Sequence, residues 1–315
     1  MSIITEESET VANQVDSVTQ LRSSMIAVKV VFTWMGVSRT LSKEQKSVAA
    51  NVFDADGESI SASKKLLDSK HPAWSAITKI KGEATKYWKD GSLPFPEPGL
   101  RLMGRERVGD FNERMDQFNR DLDDAVQALE LHYGEMRDAA RQRLGSLFDP
   151  GDYPSTLIGA FAIEHSFPAT EVPDYLRELS PAVYQRECER VQTQFSNAVE
   201  MAEQMFFEQL SELVEHLAER LSADESGKQK TFRDSTLTNL TDFFTRFNEL
   251  SIGSNRELED LVARTQSVIR GVEPQRLRDS DSLRQQIATQ MAAMQSTLDG
   301  LMVDRPRRNI LRKAR

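Results

Sequence analysis

Cysteine is nearly absent from this 315-residue chain. Its one thiol, Cys188, has no partner for an intramolecular disulfide, which points to a reducing, cytoplasmic setting. The opening residues Met1 to Glu9 lack the basic and apolar stretches of a secretory leader, which points the same way. Long apolar runs are missing as well. The longest, Met25 to Met35, is interrupted by Lys29 and Thr33 and falls far short of the roughly 20 residues that a membrane-spanning helix needs. No membrane partner is expected. Helix breakers are scarce and crowded together: 8 of the 11 prolines are Pro94, Pro96 and Pro98 and then Pro150, Pro154, Pro168, Pro173 and Pro181, so long stretches remain free to form helix.

Catalytic constellations are missing too. Gly227-Lys228 matches a phosphate loop only superficially, because that loop needs a glycine five residues before the second one and Ser or Thr after the lysine, where this chain has Ser222 and Gln229. Asp54, Asp56 and Gly57 lack the sixth-position glycine of a calcium loop, since Ser59 stands there, and read as a turn. The histidines His71, His132, His165 and His216 are scattered. Around His216 the nearest candidate, Glu212, lies four residues away rather than the three of a di-iron helix, so this stretch reads as a solvated helix face. Cys188 falls on an apolar helix seam, where a small packed thiol is the ordinary reading. Trp34, Trp74, Trp88 and Tyr87 sit at strand or helix spacing and read as core rather than as base-stacking platforms. The chain is therefore expected to be no enzyme and to carry no cofactor or metal.

What is present is helix. Apolar residues make up 39% and charged residues 28%, too apolar for disorder and enough to bury a core. Thr5 to Ser24 reads as a short helix. Val28, Val30, Phe32 and Trp34 alternate with their neighbours, and their β-branched content tips that segment toward a strand. Ser42 to Gln45 has the form of a capping box opening a short helix. Trp74, Ile77, Ile80, Ala84, Tyr87 and Trp88 mark one face of another. Leu100 to Met103 and Phe161 to Phe167 read as further strands of a small sheet. Between Arg105 and Phe148, positions Val108, Phe111, Met115, Phe118, Leu122, Val126, Leu129, Tyr133, Met136 and Ala140 step by three or four, which predicts one very long helix.

A second long helix opens at Ser180-Pro181 and carries a seam through Tyr184, Cys188, Val191, Phe195, Ala198, Ala202 and Met205. The seam then continues, shifted by one, through Phe206, Leu210, Leu213, Leu217 and Leu221. Ala223 to Lys230 reads as a turn. Leu237 to Leu250 marks a third helix, a capping box at Ser254 to Glu257 opens a fourth, and Leu283 to Leu301 lines a fifth. The predicted fold class is mainly α: long antiparallel, coiled-coil-like bundle helices with a small β element near the N-terminal part. The predicted organisation is a mixed α/β part over residues 1–104, a long-helix bundle over 105–303 with a connector at 149–180, and a basic tail over 304–315. The two longest helices are expected to pack against each other as antiparallel neighbours.

Charge is unevenly placed. The chain carries −9 overall, yet the tail holds Arg305, Arg307, Arg308, Arg312, Lys313 and Arg315 against Asp304 alone. The tail is a candidate contact for nucleic acid or an acidic partner, against the ordinary reading of a solvated terminus, while the acidic body repels phosphate and offers no second site.

Several segments, in order, resemble an uncharacterised family of phages and mobile elements. They are the strand-like opening ending in Trp34, Ser63-Lys64-Lys65-Leu66-Leu67, the aromatic helix ending in Trp88, Leu93-Pro94-Phe95, the link Phe148-Asp149-Pro150-Gly151-Asp152-Tyr153-Pro154, and Val172-Pro173. The pattern spans roughly Met25 to Leu301. This resemblance implies a helical protein often encoded near MoxR-type AAA+ ring ATPases and von Willebrand-type adhesion domains, and it transfers no active-site residue. The expected function is a non-enzymatic helical adaptor or scaffold that self-associates or docks onto a protein partner, with a ring ATPase among the partners. The alternative is a nucleic-acid accessory protein using the basic tail.

Overall fold

The computed structural model of the protein describes residues 17–222 and 230–303. Among them, in chain order, are helix α1 (residues 17–24), β1 (Met25–Thr33), β2 (Ser38–Thr40), α2 (Lys43–Asn51), β3 (Ser63–Lys65), α3 (Pro72–Asp90), β4 (Leu93–Pro94), β5 (Leu100–Gly104) and α4 (Val108–Leu144). There follow β6 (Ala162–Ser166), α5 (Tyr175–Leu179), α6 (Pro181–Leu221), α7 (Ser235–Leu250), α8 (Arg256–Ile269), α9 (Pro274–Asp279) and α10 (Asp281–Val303). The protein is mainly α with a small antiparallel sheet, as its sequence predicts. The tail and the turn predicted from Ala223 lie outside the described residues, except for Lys230.

The chain forms two compact units, each discontinuous in sequence. A mixed unit combines Ala27–Asp90 with Gly99–Ala169. A helical unit combines, among the described residues, 17–26, Gly91–Pro98, 170–222 and 230–303. The boundary predicted at residue 104 therefore falls inside the mixed unit. The reason is where α4 buries its stripe: against α3 and β6, the elements on either side of it in sequence, rather than against the later helices.

In the mixed unit, Phe111, Met115, Phe118, Leu122, Val126, Leu129, Tyr133, Met136 and Ala140 of α4 are all buried, the positions that the three-and-four spacing predicts, with Val108 half-buried at the edge. Trp74, Ile77 and Ala84 of α3 complete this core with Leu157, Phe161 and Ile163. Strands β5, β1 and β6 lie side by side in that order. β1 pairs antiparallel with β6 so that Phe32 faces Ile163 and Val30 faces His165. A strand at the edge of a sheet exposes unpaired backbone groups. Asn119 of α4 meets those of Ile163, its amide nitrogen donating to the carbonyl at 2.9 Å and its oxygen accepting from the amide at 3.3 Å. α4 ends at Gly145, whose φ of 52° lies where side chains are strained, and nothing stands within 4 Å of a Cβ there, so the glycine is required by conformation alone.

In the helical unit, α6 is continuous over Pro181–Leu221 with Pro181 in its first turn. Its seam is covered by α10, α7 and α8, and α5 packs near its start. The predicted pairing of α6 with α4 is corrected accordingly. Arg284 binds the end of α6 at Leu221, and Gln295 donates to Ser211 at 2.9 Å, so α10 is the antiparallel neighbour. Because several helices cover α6, its buried stripe is wider than a two-helix seam. Val199, Phe207 and Val214 are buried outside the predicted seam, whereas Met205, the end of its first register, and Leu213, in the shifted one, are half-buried. Phe206 contacts the rings of Phe247 at 5.0 Å and Phe243 at 6.2 Å. Helix α8 begins one residue later than predicted, with the Asn255 side chain accepting from the Leu258 amide at 3.0 Å.

Candidate functional site

The mixed unit carries an arm over residues 38–65. β2 and β3 form its two-stranded antiparallel ribbon, with Arg39 opposite Lys64, a pairing the sequence did not suggest. Beyond the ribbon stands α2, opened by the predicted capping box: Gln45 N–H donates to Ser42 Oγ, and the Ser42 amide donates to Gln45 Oε1. A short 3-10 turn, Gly57–Ser59, packs on α2 so closely that a Cβ at Gly57 would lie 3.0 Å from Ser47 Oγ and 3.1 Å from Ser47 Cα. The Asp56 carboxylate accepts from the Glu58 amide at 3.1 Å, so the calcium-like residues make a turn, as predicted. Within residues 38–65 only Ala50 and Lys64 are buried. The tip instead exposes three large apolar side chains: Val48 at 69%, Val52 at 77% and Phe53 at 77%.

The root of the arm is fixed by the link that follows α4. Lys64 and Asp152 are both 5% exposed at their side chains and form an ion pair at 2.6 Å. Lys64 Nζ also donates to the Leu147 carbonyl at 2.8 Å, and Arg39 donates to Asp152 Oδ1. Burial pushes the Asp152 carboxyl up, but the hydrogen bonds and charges of Lys64 and Arg39 outweigh it and hold the group below the usual carboxylate range. Tyr153 donates its hydroxyl to the Leu66 carbonyl at 3.0 Å, and Tyr133 of α4 donates to Pro154 at 2.9 Å. Burial pushes both phenols up, which keeps them protonated as donors. Phe148 stacks on Tyr153, centroids 5.0 Å apart, beneath the Arg141 guanidinium. The arm is thus clamped at its root and apolar at its tip.

A second feature lies in the helical unit, where the end of α6 meets the start of α7. A cavity of about 380 Å³ is lined by His216 and Arg220 of α6, Thr231 and Arg233 of the approach to α7, and Ser235 and Thr236 of its first turn. Among the described residues, no carboxylate lines it. The neighbouring acids are already engaged, Glu219 by Lys230 at 3.0 Å and Asp234 by Arg278. Behind this end of α6, Arg284 is buried and donates to the carbonyls of Leu221 at 2.9 Å, Arg220 at 2.6 Å and Lys230 at 2.8 Å.

The predicted site residues Arg305, Arg307, Arg308, Arg312, Lys313 and Arg315 lie outside the described residues, as does Gly227-Lys228. The histidines are less scattered than their spacing suggests, since the rings of His71 and His132 stand 5.1 Å apart. His71 Nδ1 is occupied in accepting from the Ala73 amide at 3.2 Å, and among the described residues no group of three His, Cys, Asp or Glu side chains could hold a metal. Trp74 is core, and Trp34 packs edge-on against Phe161 with Lys81 over its face. Cys188 is half-buried on α6. Sequence reading missed the Arg39, Lys64 and Asp152 cluster and the cavity. Compared with known proteins, the chain matches no family model, no curated protein and no solved structure.

Proposed function

We propose that this chain is a non-enzymatic helical adaptor or scaffold, which acts by self-association or by docking onto a protein partner. The arm carries this reading. Burying one side chain of Val or Phe size contributes about 1.5 to 3 kcal/mol, yet three stand in water together on one short helix and the turn that ends it. Clustered exposed apolar side chains mark interaction surfaces more often than single ones do. A rigid root suits such a surface, because little ordering remains to be done on binding. The family resemblance adds the phage or mobile-element setting and the MoxR-type ring ATPase as partner class. Among the described residues no helix is long and apolar enough to cross a membrane. The protein's place on this reading is the cytoplasm.

Sedimentation of the full chain over a wide concentration range, alone and mixed with a purified MoxR-type ring ATPase, tests the proposal. Self-association or complex formation is expected, and Phe53→Asp with Val48→Asp should abolish it while leaving the fold intact, since both side chains are exposed. A chain that stays monomeric and unbound, or an assembly indifferent to both changes, overturns the reading.

The charge asymmetry favours a second reading, a nucleic-acid accessory role for the tail. In that case, removing Arg305 to Arg315 deletes six cationic groups and should abolish duplex binding, whose logarithmic salt slope runs at about −0.9 per phosphate neutralised. On the adaptor reading, the same truncation leaves assembly unchanged.

A further inference from the structure

We infer that α2 of the arm pairs with α2 of a second copy of the chain, antiparallel across a two-fold axis; the pairing rests on the arm being the docking surface proposed above. The charges of the tip point to this occupant. A helix favours acids at its start and bases at its end, because its dipole is positive at the first and negative at the second. α2 has the reverse: Lys43 and Lys46 stand in its first turn, no base stands in its last, and Asp54 and Asp56 follow its end. Glu44 is the exception, and its carboxylate is engaged locally, held below the usual range by its own backbone amide and by Ser42. Lys43, Asp54 and Asp56 are exposed, Lys46 is half-buried, and among the described residues none of the four has an ion-pair partner. Within one copy their arrangement opposes the dipole. Laid antiparallel, each pair of lysines meets the partner's Asp54 and Asp56 at the negative end of the opposite helix, so the same charges become favourable.

The backbone of Asp54 carries the same bias. Among the described residues it is the one non-glycine at positive φ, 50°, just past the helix end, where glycine is the comfortable residue. A carboxylate is thus kept in a strained position, and no ion pair within the chain offsets the strain. The apolar side chains fit the same axis. Val48 and Val52 lie four residues apart on one exposed face, so an axis midway between them sets each Val48 against the partner's Val52 and each Lys46 against the partner's Asp54. Size limits the strength of the pairing. A helix of this length is about 14 Å long and 10–12 Å across, which leaves far less than the roughly 800 Å² per partner of a stable complex. Two arms therefore associate weakly and reversibly, with a Kd of about 10 μM or higher.

Sedimentation equilibrium of the full chain from about 1 μM to 1 mM provides the test. A reversible dimer is expected, weakening as salt rises because exposed charges are screened. Lys43→Glu with Lys46→Glu gives α2 the charges that its own dipole favours, so the helix keeps its stability while pairing weakens by about tenfold or more. Asp54→Gly relieves the backbone and should also weaken pairing, a combination that a merely structural role would not produce. Asp54→Lys weakens it as well. Mixing that chain with the Lys43→Glu, Lys46→Glu chain should restore association, since opposite charges then meet at both ends. A mixture that fails to associate overturns the antiparallel pairing. A dimer broken by Phe53→Asp with Val48→Asp but indifferent to the charge changes also overturns it, while the adaptor reading stands. The same holds for a chain that stays monomeric throughout yet binds a ring ATPase through the arm.

Discussion

The two units solve the same problem, clothing one very long helix, by different chemistry. In the helical unit, α6 is covered by other helices, and the contacts are periodic and apolar, centred on Phe206, Phe243 and Phe247. In the mixed unit, α4 is covered partly by strands and irregular links. Each irregular piece is held by a polar key: Asn119 to β6, Tyr133 to Pro154, Glu130 to the Leu157 amide at 2.7 Å. Periodic packing satisfies backbone groups within the helices themselves, whereas a link has no internal ladder and must find partners. The difference predicts where each unit is vulnerable.

The largest effect is expected in the helical unit. Phe206→Ala removes a ring at the meeting point of two helices and should cost about 3 to 5 kcal/mol, measured by denaturant unfolding monitored by circular dichroism. A cost under about 1 kcal/mol would mean that the cluster is not the organising core of that unit.

In the mixed unit the comparable blow is electrostatic. Asp152→Ala leaves Lys64 buried without its counter-charge and should cost about 3 kcal/mol or slightly more. The pH dependence sharpens this. Because the folded carboxyl is held below its usual value, its contribution is present above the unfolded value of about 3.9 and is lost as pH falls through the lower folded value. The gap in stability between wild type and Asp152→Asn should therefore narrow on acidification below about pH 4. A gap that widens there contradicts the clamp described at the arm's root.

Smaller still is Tyr153→Phe, which deletes one hydroxyl and strands the Leu66 carbonyl, at about 1 to 2 kcal/mol. Hydrogen exchange at the ribbon amides should report the loosening locally. At the bottom of the scale, Glu208→Ala on the exposed side of α6 should change stability by no more than about 0.5 kcal/mol, the control against which Phe206 is read.

Sequence reading was strongest where packing is periodic. The α4 stripe from Phe111 to Ala140 and the α7 stripe from Leu237 to Leu250 are buried at the positions their spacing predicts. β1 and β6 were also legible, β1 from alternation and β-branched content and β6 from alternation, and β5 was read as a short strand too. Reading weakened where the partner decides: Met205 gave way to Phe207 and Leu213 to Val214, because spacing along one helix does not reveal how many neighbours cover it. It failed for partner choice, pairing α4 with α6 when each finds cover in its own unit. The arm's cluster was invisible for a related reason. Arg39, Lys64 and Asp152 are ordinary charged residues until the chain brings Asp152 to the ribbon, 88 residues from Lys64 and 113 from Arg39, and no local pattern marks them. The cavity likewise depends on the approach to α7, which has no periodicity to read.

The clamp at the root of the arm also sets an order of assembly. Lys64 waits for the Leu147 carbonyl and Asp152, so during synthesis the ribbon emerges well before its anchor exists. At about 5 to 20 residues per second, the 83 residues between Lys64 and Leu147 represent a delay of roughly 4 to 17 s. Over that interval Val48, Val52 and Phe53 are tethered to the ribosome on an unsecured hairpin. The distant ion pair thus does more than hold a folded arm in place: it delays a sticky surface from becoming properly presented until the long helix that supports it has been made.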